Sequence, residues 1–201
     1  MFLSVFEIFK VGVGPSSSHT MGPMVAGARF LDRLRASPFH PTGLRASLHG
    51  SLAFTGKGHA TDRATILGLA GFAPDTYDHE KAEATLAAIA ATGTVTPPGL
   101  PPLAFRPATD LVFDYGRPLP GHANGMILTA TDAQGDVLLQ ETYYSIGGGF
   151  VVTDAELAGA DRKAAAASGV PYPFETAAAM LEMAAASGKS IAEMKRANEL
   201  H

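Results

Sequence analysis

The spacing of apolar side chains predicts helices and strands along most of the chain. Met24, Ala28 and Leu31 recur at intervals of four and three with charged residues between them, which predicts an amphipathic helix. Pro23 limits where this helix can start, because proline is tolerated in the first turn of a helix. We therefore expect the helix cap near His19 or Thr20, with the serines at positions 16–18 before it. A similar pattern predicts a helix over residues 80–91.

Alternation of apolar and polar residues predicts strands in the middle of the chain. The predicted strands cover residues 44–52, 111–115, 126–131, 137–144 and 150–152. The turn at residues 132–135 joins two of them into a hairpin. Prolines make residues 94–107 a loop or an edge segment, since proline cannot donate to a β-ladder.

The last fifth of the chain has a different, alanine-rich pattern. Residues 155–167 are weakly specified, residues 174–185 predict a helix, and Ser190 with Glu193 predicts a capping box that starts another. That helix meets no stop signal, which favours a truncated single chain. The interpretation is an α+β domain over residues 1–155, with helices packed on a mixed or antiparallel sheet, then a linker and helical extension over residues 156–201.

Composition narrows the function classes. Of 201 residues, 46% are hydrophobic and 17% charged, so the chain can build a core, and a net charge of −4 offers no basic face for nucleic acid. No apolar run approaches the roughly 20 residues that span a membrane, and residues 1–10 lack the basic start of a signal peptide, so we expect a cytoplasmic protein. The chain has no cysteine, and we expect no metal ligands here.

The sequence GPSSSHT at positions 14–20 is the first candidate for chemistry. Three serines and His19 precede a helix, where unpaired amides and the helix dipole attract anions. This pattern predicts a site for a carboxylate or phosphate. The alternative is an ordinary serine-rich start of a helix.

A second candidate is the sequence GKGH at positions 56–59, followed by Thr61 and Asp62, either of which can cap a helix. Lys57 can pair with a carboxylate, and His59 can act as a general base near neutral pH. The spacing does not fit a phosphate-binding P-loop. The alternative is a solvated turn.

Three glycines at positions 147–149 interrupt two predicted strands, which suggests a close backbone approach beside Ser145. Asn124 lies in a predicted turn and can offer its amide to a substrate. A bend and a simple turn remain the alternatives for these two stretches. No zinc-protease, nucleophile-elbow or dinucleotide-binding motif is present.

The serine-rich stretch, the GKGH stretch, the turn with Asn124 and the glycine stretch follow one another along the chain. Together they resemble the beta domain of the iron–sulfur-dependent bacterial L-serine dehydratases (L-serine ammonia-lyases). The resemblance is carried by residues 4–10, 12–24, 50–62, 124–126 and 143–150, and it extends over nearly the whole chain. Residues 170–174 and 194–199 resemble the segment that joins the beta domain to the alpha domain in enzymes of the single-chain type.

The resemblance implies a reaction in which L-serine loses water to form aminoacrylate, which becomes an imine and then pyruvate and ammonia. It implies a 4Fe-4S cluster rather than pyridoxal phosphate, with the cluster cysteines in an alpha domain. The implied partners are L-serine, that alpha domain and a second copy in a homodimer. The implied fold is similar to the allosteric substrate-binding domain of phosphoglycerate dehydrogenase.

The resemblance also implies roles for individual residues. The candidates for proton transfer are His19, Lys57 and His59, and the choice among them stays open. The implied substrate-binding or pocket-forming residues are Ser16, Ser17, Ser18, Thr20, Thr61, Asp62, Asn124, Ser145, Gly147 and Gly148. Asp62 is also expected to orient His59.

Two other functions stay open. In one, the domain binds serine or another small anion allosterically and contributes no catalytic group. In the other, it only makes dimers through its hairpin edges. If the enzyme interpretation is right, this chain alone is expected to be inactive.

Overall fold

A computed structural model describes residues 4–163 and 169–201. The chain divides into two compact units. The larger is Val11–Leu157, and the smaller combines Met1–Lys10 with Ala158–His201. The helices are α1 (Val5–Ile8), α2 (Gly22–Arg35), α3 (Ser51–Phe54), α4 (Thr61–Leu69), α5 (His79–Thr92), α6 (Pro107–Asp110), α7 (Asp154–Lys163), α8 (Ala177–Ser187) and α9 (Ile191–Glu199).

The strands of the larger unit form one mixed sheet. They are β1 (Gly43–Gly50), β2 (Thr94–Val95), β3 (Leu103–Ala104), β4 (Leu111–Asp114), β5 (Asn124–Thr131), β6 (Val137–Gly147) and β7 (Phe150–Thr153). The order is β2-β3-β1-β5-β6-β7, and β4 also pairs with β1. The pairs of β1 with β3 and β4 are parallel, and the other pairs are antiparallel. The predicted α+β class with a mixed sheet is therefore confirmed.

A continuous apolar core lies between the sheet and the helices α2, α4 and α5. Its fully buried side chains include Phe30 and Leu34 from α2, Leu48 from β1 and Leu128 from β5. Alternate residues of β1 and β5 enter this core because successive side chains of a strand point to opposite faces.

The helices α2 and α4 cross in close contact at two glycines. A Cβ atom added to Gly27 would lie 2.6 Å from the backbone carbon of Gly68, and one added to Gly68 would lie 2.4 Å from the carbonyl oxygen of Met24. Only residues without a side chain allow two backbones to approach so closely. The contact joins the first half of α2 to the last turn of α4, and so fixes the positions of the two helices that follow the serine-rich and GKGH motifs.

Several predicted boundaries are wrong. The strand expected over residues 44–52 ends at Gly50, whose φ of +56° turns the chain into α3. Helical structure before α2 starts at Ser17 rather than after the serines, because Ser16 is the capping residue. Neither Thr61 nor Asp62 caps α4, since Ala60 occupies that position with φ +53°.

The predicted hairpin is confirmed by the pairing of β5 with β6. The weakly specified segment contains α7, and residues 164–168 lie outside the described part of the chain. The helix expected from residue 174 begins at Ala177, because Thr176 caps it by accepting from the amide of Ala179.

The smaller unit is helical. The capping box of Ser190 and Glu193 is confirmed. Tyr172 and Asn198 exchange two hydrogen bonds, and Glu199 accepts from the hydroxyl of Ser4. Of the helices in residues 4–163 and 169–201, none is long and apolar enough to cross a membrane.

Candidate active site

The serines before α2 form a wide helical turn, Ser17–Met21. The carbonyl oxygen of Ser16 accepts from the amides of Thr20 and Met21, at 3.0 and 3.2 Å, and its hydroxyl accepts from the amide of His19 at 3.2 Å. Turns of this wide, π-helical type are rare and frequently occur at functional sites. Ser17 takes the first helical position, where backbone N–H groups have no acceptor inside the helix and can bind an anion.

Thr20 connects this turn to the second motif. Its hydroxyl donates to the carbonyl oxygen of His59 at 2.9 Å and accepts from the amide of Ser16 at 3.2 Å. The side chain is only 5% exposed, so water competes little for these bonds. Two segments 39 positions apart are thereby held together at one end of the larger unit.

His19 is held at both ring nitrogens. Its Nδ1 lies 2.9 Å from the hydroxyl of Ser18, and its Nε2 lies 3.0 Å from the hydroxyl of Ser51. Burial and the adjacent His59 ring lower the pKa of His19 below the usual histidine value, while a hydrogen bond at Ser51 acts in the opposite direction. The ring is therefore neutral at neutral pH.

His59 lies beside His19, with 4.7 Å between the ring centroids. Its Nδ1 is 2.9 Å from the carbonyl oxygen of Thr55. Because a carbonyl oxygen can only accept, Nδ1 carries the proton, and the neutral ring presents the lone pair of Nε2. This is the tautomer that a general base needs at Nε2.

The other residues of the second motif have separate environments. The Nζ atom of Lys57 lies 5.3 Å from the ring centroid of Phe113, a cation–π contact. The carboxylate of Asp62 accepts from the amide of Arg63, and Thr55 rather than Asp62 orients His59.

Thr61 is fully buried at the start of α4. Its amide donates to the carbonyl oxygen of Gly56, and its hydroxyl has no hydrogen-bond partner among the described residues. The structure therefore places Thr61 behind the surface that carries His19 and His59.

The ends of β1, β5 and β6 bring the third and fourth motifs to the same region. Asn124 pairs with Gly50 in the sheet, next to Ser51, and its side-chain Nδ2 donates to the carbonyl oxygen of Ser145 at 3.1 Å. Ser145 is 2% exposed, and its hydroxyl has no partner among the described residues. That hydroxyl lies directly against Gly22, the first residue of α2.

The glycine stretch is the turn between β6 and β7. Gly147, Gly148 and Gly149 have φ values of +95°, +60° and +76°, a region that residues with a side chain rarely adopt. Gly147 pairs with Phe150 across the turn. The hydrogen bonds described here do not join this turn to His19 or His59, so it adjoins the site through Ser145.

Ser51 is the site residue that the sequence analysis does not single out. Its amide donates to the carbonyl oxygen of Ala123, and its hydroxyl contacts His19. The available signal was a glycine and a serine, Gly50 and Ser51, near the end of the strand predicted over residues 44–52, where a chain reversal exposes a hydroxyl at the sheet edge.

A separate polar depression of about 240 Å³ lies beside α2. Its lining residues are Arg29, Asp32, Arg33, Glu141, Tyr143 and Thr153. Arg29 pairs with Glu156 at 2.7 Å, Arg33 lies 3.6 Å from Glu141, and the hydroxyl of Tyr143 donates to Glu141. Burial and that hydrogen bond raise the pKa of Tyr143. Since these charges pair with one another, we assign no ligand to the depression.

The residues present do not fit a resident metal cluster. The chain has no cysteine, and within residues 4–163 and 169–201 no three His, Asp or Glu side chains gather in a way that could hold a metal ion. Iron–sulfur clusters are held mainly by cysteine thiolates. This chain therefore has no thiolate to offer such a cluster.

Comparison with known proteins shows the family to which the chain is similar. A sequence profile of the family described as serine dehydratase beta chain matches residues 4–156. L-serine dehydratase of Streptomyces coelicolor is 43% identical over 201 residues, which cover 99% of this chain and 44% of the relative.

Two further relatives show the same coverage. L-serine dehydratase of Helicobacter pylori is 43% identical over 98% of this chain and 43% of its own length. L-serine dehydratase of Mycobacterium tuberculosis is 40% identical over 99% of this chain and 43% of its own length. The chain thus spans less than half the length of these relatives, and it belongs to the serine dehydratase beta chain family.

Proposed function

We propose that this chain is the beta part of an L-serine dehydratase, an L-serine ammonia-lyase that forms pyruvate and ammonia. Relatives named L-serine dehydratase, whose matches cover 98–99% of the chain, support this proposal. The observation that carries it is the pair of histidine rings 4.7 Å apart beside a serine-rich turn. An anion site next to a neutral base suits the removal of a proton from an amino acid.

The serine turn is the proposed site for the substrate carboxylate. Ser17 is exposed at the first helical position, while Ser16 and Ser18 are half-buried and joined through their hydroxyls. A helix N-terminus combines unpaired amides with a partial positive charge, which stabilises a carboxylate. Thr20, whose hydroxyl is already used twice, orders the turn rather than contacting the substrate.

His59 is the proposed base for the α-proton. Its Nδ1 is used by Thr55, so Nε2 presents a lone pair, whereas both nitrogens of His19 face hydroxyl groups. His19 then orients the serine turn. Because its ring is neutral, it adds no positive charge beside His59. Lys57, two positions before His59, supplies a positive charge, and its ammonium lies over the ring of Phe113.

The remaining groups shape the pocket in this proposal. Asn124 uses its Nδ2 to hold Ser145, which leaves its amide oxygen for the substrate. Ser145 and the turn of Gly147 and Gly148 form the wall next to the start of α2. Thr61, being fully buried with its amide on the carbonyl oxygen of Gly56, supports the loop that carries His59.

The iron–sulfur cluster is proposed to lie in the alpha part, because this chain has no cysteine to hold it. An allosteric-domain-like fold, a homodimer and a cytoplasmic location also remain predictions of the family resemblance.

Turnover in a complete enzyme tests the proposal. In this experiment, the 201-residue chain is joined to the part of the Streptomyces coelicolor relative that it does not match. Pyruvate formation from L-serine by the joined chain is then measured. We expect His59→Gln to lower kcat by about 10²-fold or more, the usual contribution of a general base. His40→Gln, a change at an exposed histidine, is the matched control and should leave kcat unchanged.

Wild-type turnover in His59→Gln would assign the base elsewhere, and Lys57→Gln and His19→Gln then identify it. Calorimetry on the 201-residue chain addresses the allosteric alternative. A sensor rather than a catalytic domain would be favoured by two results together. The chain would bind L-serine and lose that binding in Ser17→Ala, and the His59→Gln variant of the joined chain would keep full turnover.

A further inference from the structure

An exposed group of aromatic rings lies on the larger unit. Phe54 and Tyr115 meet edge to face with ring centroids 5.3 Å apart, and Phe113 stacks on Tyr115 at 6.5 Å. Phe54 is 63% exposed and Tyr115 is 56% exposed. We call these three residues the aromatic rim. Three neighbouring rings, two of them more than half exposed, are typical of a surface that another protein covers.

The aromatic rim is anchored and pre-formed. Phe113 is half-buried and packs on the apolar core, and a Cβ atom added to Gly56 would lie 2.8 Å from its ring. The ammonium of Lys57 lies over the same ring. Because the rings already hold each other in place, covering them costs little side-chain entropy, as in the hot spots of protein interfaces.

The aromatic rim is continuous with the histidine pair. Phe54 ends the short helix that Ser51 begins, and Ser51 holds His19. The next residue, Thr55, holds His59 through its carbonyl oxygen. A protein surface that covered the rim would therefore also close the half-exposed histidine pair from the side of α3.

We infer that the aromatic rim is the docking surface for the alpha part of L-serine dehydratase, an inference that rests on the proposed function. The relatives are more than twice the matched length, so over half of each has no counterpart among these residues. A dehydration site gains from excluding bulk water, and aromatic side chains are enriched at protein interfaces. A second copy of this chain is the competing occupant.

Hydroxyl-radical footprinting read by mass spectrometry distinguishes these occupants. The 201-residue chain is compared with the single chain that joins it to the unmatched part of the Streptomyces coelicolor relative. We expect oxidation of Phe54 and Tyr115 to be about fivefold slower in the joined chain, because interface cores exclude solvent. Phe39 is the internal control, because this exposed side chain precedes β1 whereas Phe54 of the rim follows it. The eight residues of β1 span about 25 Å.

Substitutions add a functional readout. Phe54→Ser and Tyr115→Ser should leave the unfolding midpoint of the 201-residue chain unchanged, because both side chains are exposed there. In the joined chain each should lower kcat/KM by about tenfold, as expected for an aromatic interface anchor. Phe39→Ser should change neither quantity.

The outcomes separate this inference from the proposed function. Protection of the rim in a joined chain that does not turn over L-serine would support the docking surface while rejecting the function. If the joined chain turns over L-serine while its rim is oxidised as fast as in the 201-residue chain, the docking surface is overturned and the proposed function stands. Protection that arises in the 201-residue chain with dimerisation, seen by sedimentation, would overturn the inference in favour of a second copy.

Discussion

The Nε2 atom of His19 and the hydroxyl of Ser51 lie 3.0 Å apart, although 32 positions separate these residues in the chain. The contact exists because β1 ends at Gly50, whose positive φ turns the chain and starts α3 with Ser51. With Ser18 on the other ring nitrogen, the imidazole has one orientation and a hydroxyl partner on each side. The His19 ring thus joins the start of α2 to the end of the first strand.

Loss of the Ser51 hydroxyl should destabilise the larger unit. We expect Ser51→Ala to lower the free energy of unfolding by about 1 kcal/mol, since His19 loses a half-buried hydrogen bond. Ser17→Ala, at an exposed serine of the same site, should change it by less than about 0.5 kcal/mol. Urea unfolding followed by circular dichroism provides both values. Equal values for the two variants would contradict the contact.

The pH dependence of stability should include a contribution from His19. Because the pKa of His19 in the folded state lies below that of an unfolded histidine, the unfolded chain binds more protons, and the free energy of unfolding falls as the pH drops below the ordinary histidine pKa of about 6.5. We expect His19→Gln to lose less stability than the parent chain between neutral and mildly acidic pH.

A titration of the His19 ring by NMR checks the cause directly. We expect His59→Gln to raise the pKa of His19 toward its ordinary value, since the neighbouring imidazole contributes to the lowering after burial. An unchanged pKa would show that burial alone lowers it.

The close crossing of α2 and α4 should not tolerate a methyl group. Gly27→Ala places a Cβ atom 2.6 Å from the backbone of Gly68, and we expect it to cost about 1–3 kcal/mol despite the higher helix propensity of alanine. Gly58→Ala is the control, because a Cβ atom there meets open space. Similar thermal unfolding midpoints for the two variants would mean that the helices can separate without cost.

Gly22 and Ser145 should behave as a coupled pair. A Cβ atom on Gly22 would lie 2.0 Å from the hydroxyl oxygen of Ser145 and 2.6 Å from its Cβ, so Gly22→Ala must displace the serine turn. We expect Ser145→Gly in the same chain to restore part of the lost stability, with a coupling energy above about 0.5 kcal/mol in a double-mutant cycle. Additive effects of the two substitutions would disprove direct contact.

Local sequence patterns predicted much of the fold because periodicity and caps act within a few residues. The period of α5, its stop at Gly93 and the capping box at Ser190 each depend on neighbours three or four positions away. The hairpin of β5 and β6 follows from its turn in the same way. The boundary at Gly50 was missed because an alternating pattern does not report a positive φ.

The sequence by itself determined which residue types were available: three serines before a helix, a lysine and a histidine between glycines, and no cysteine. Only the tertiary structure decided how they meet. It placed Ser51 on His19, assigned the Nδ1 proton of His59 through Thr55, and left Asp62 on the amide of Arg63. The physical reason is that these contacts depend on the crossing of α2 and α4 and on the sheet register, which join segments distant in the chain.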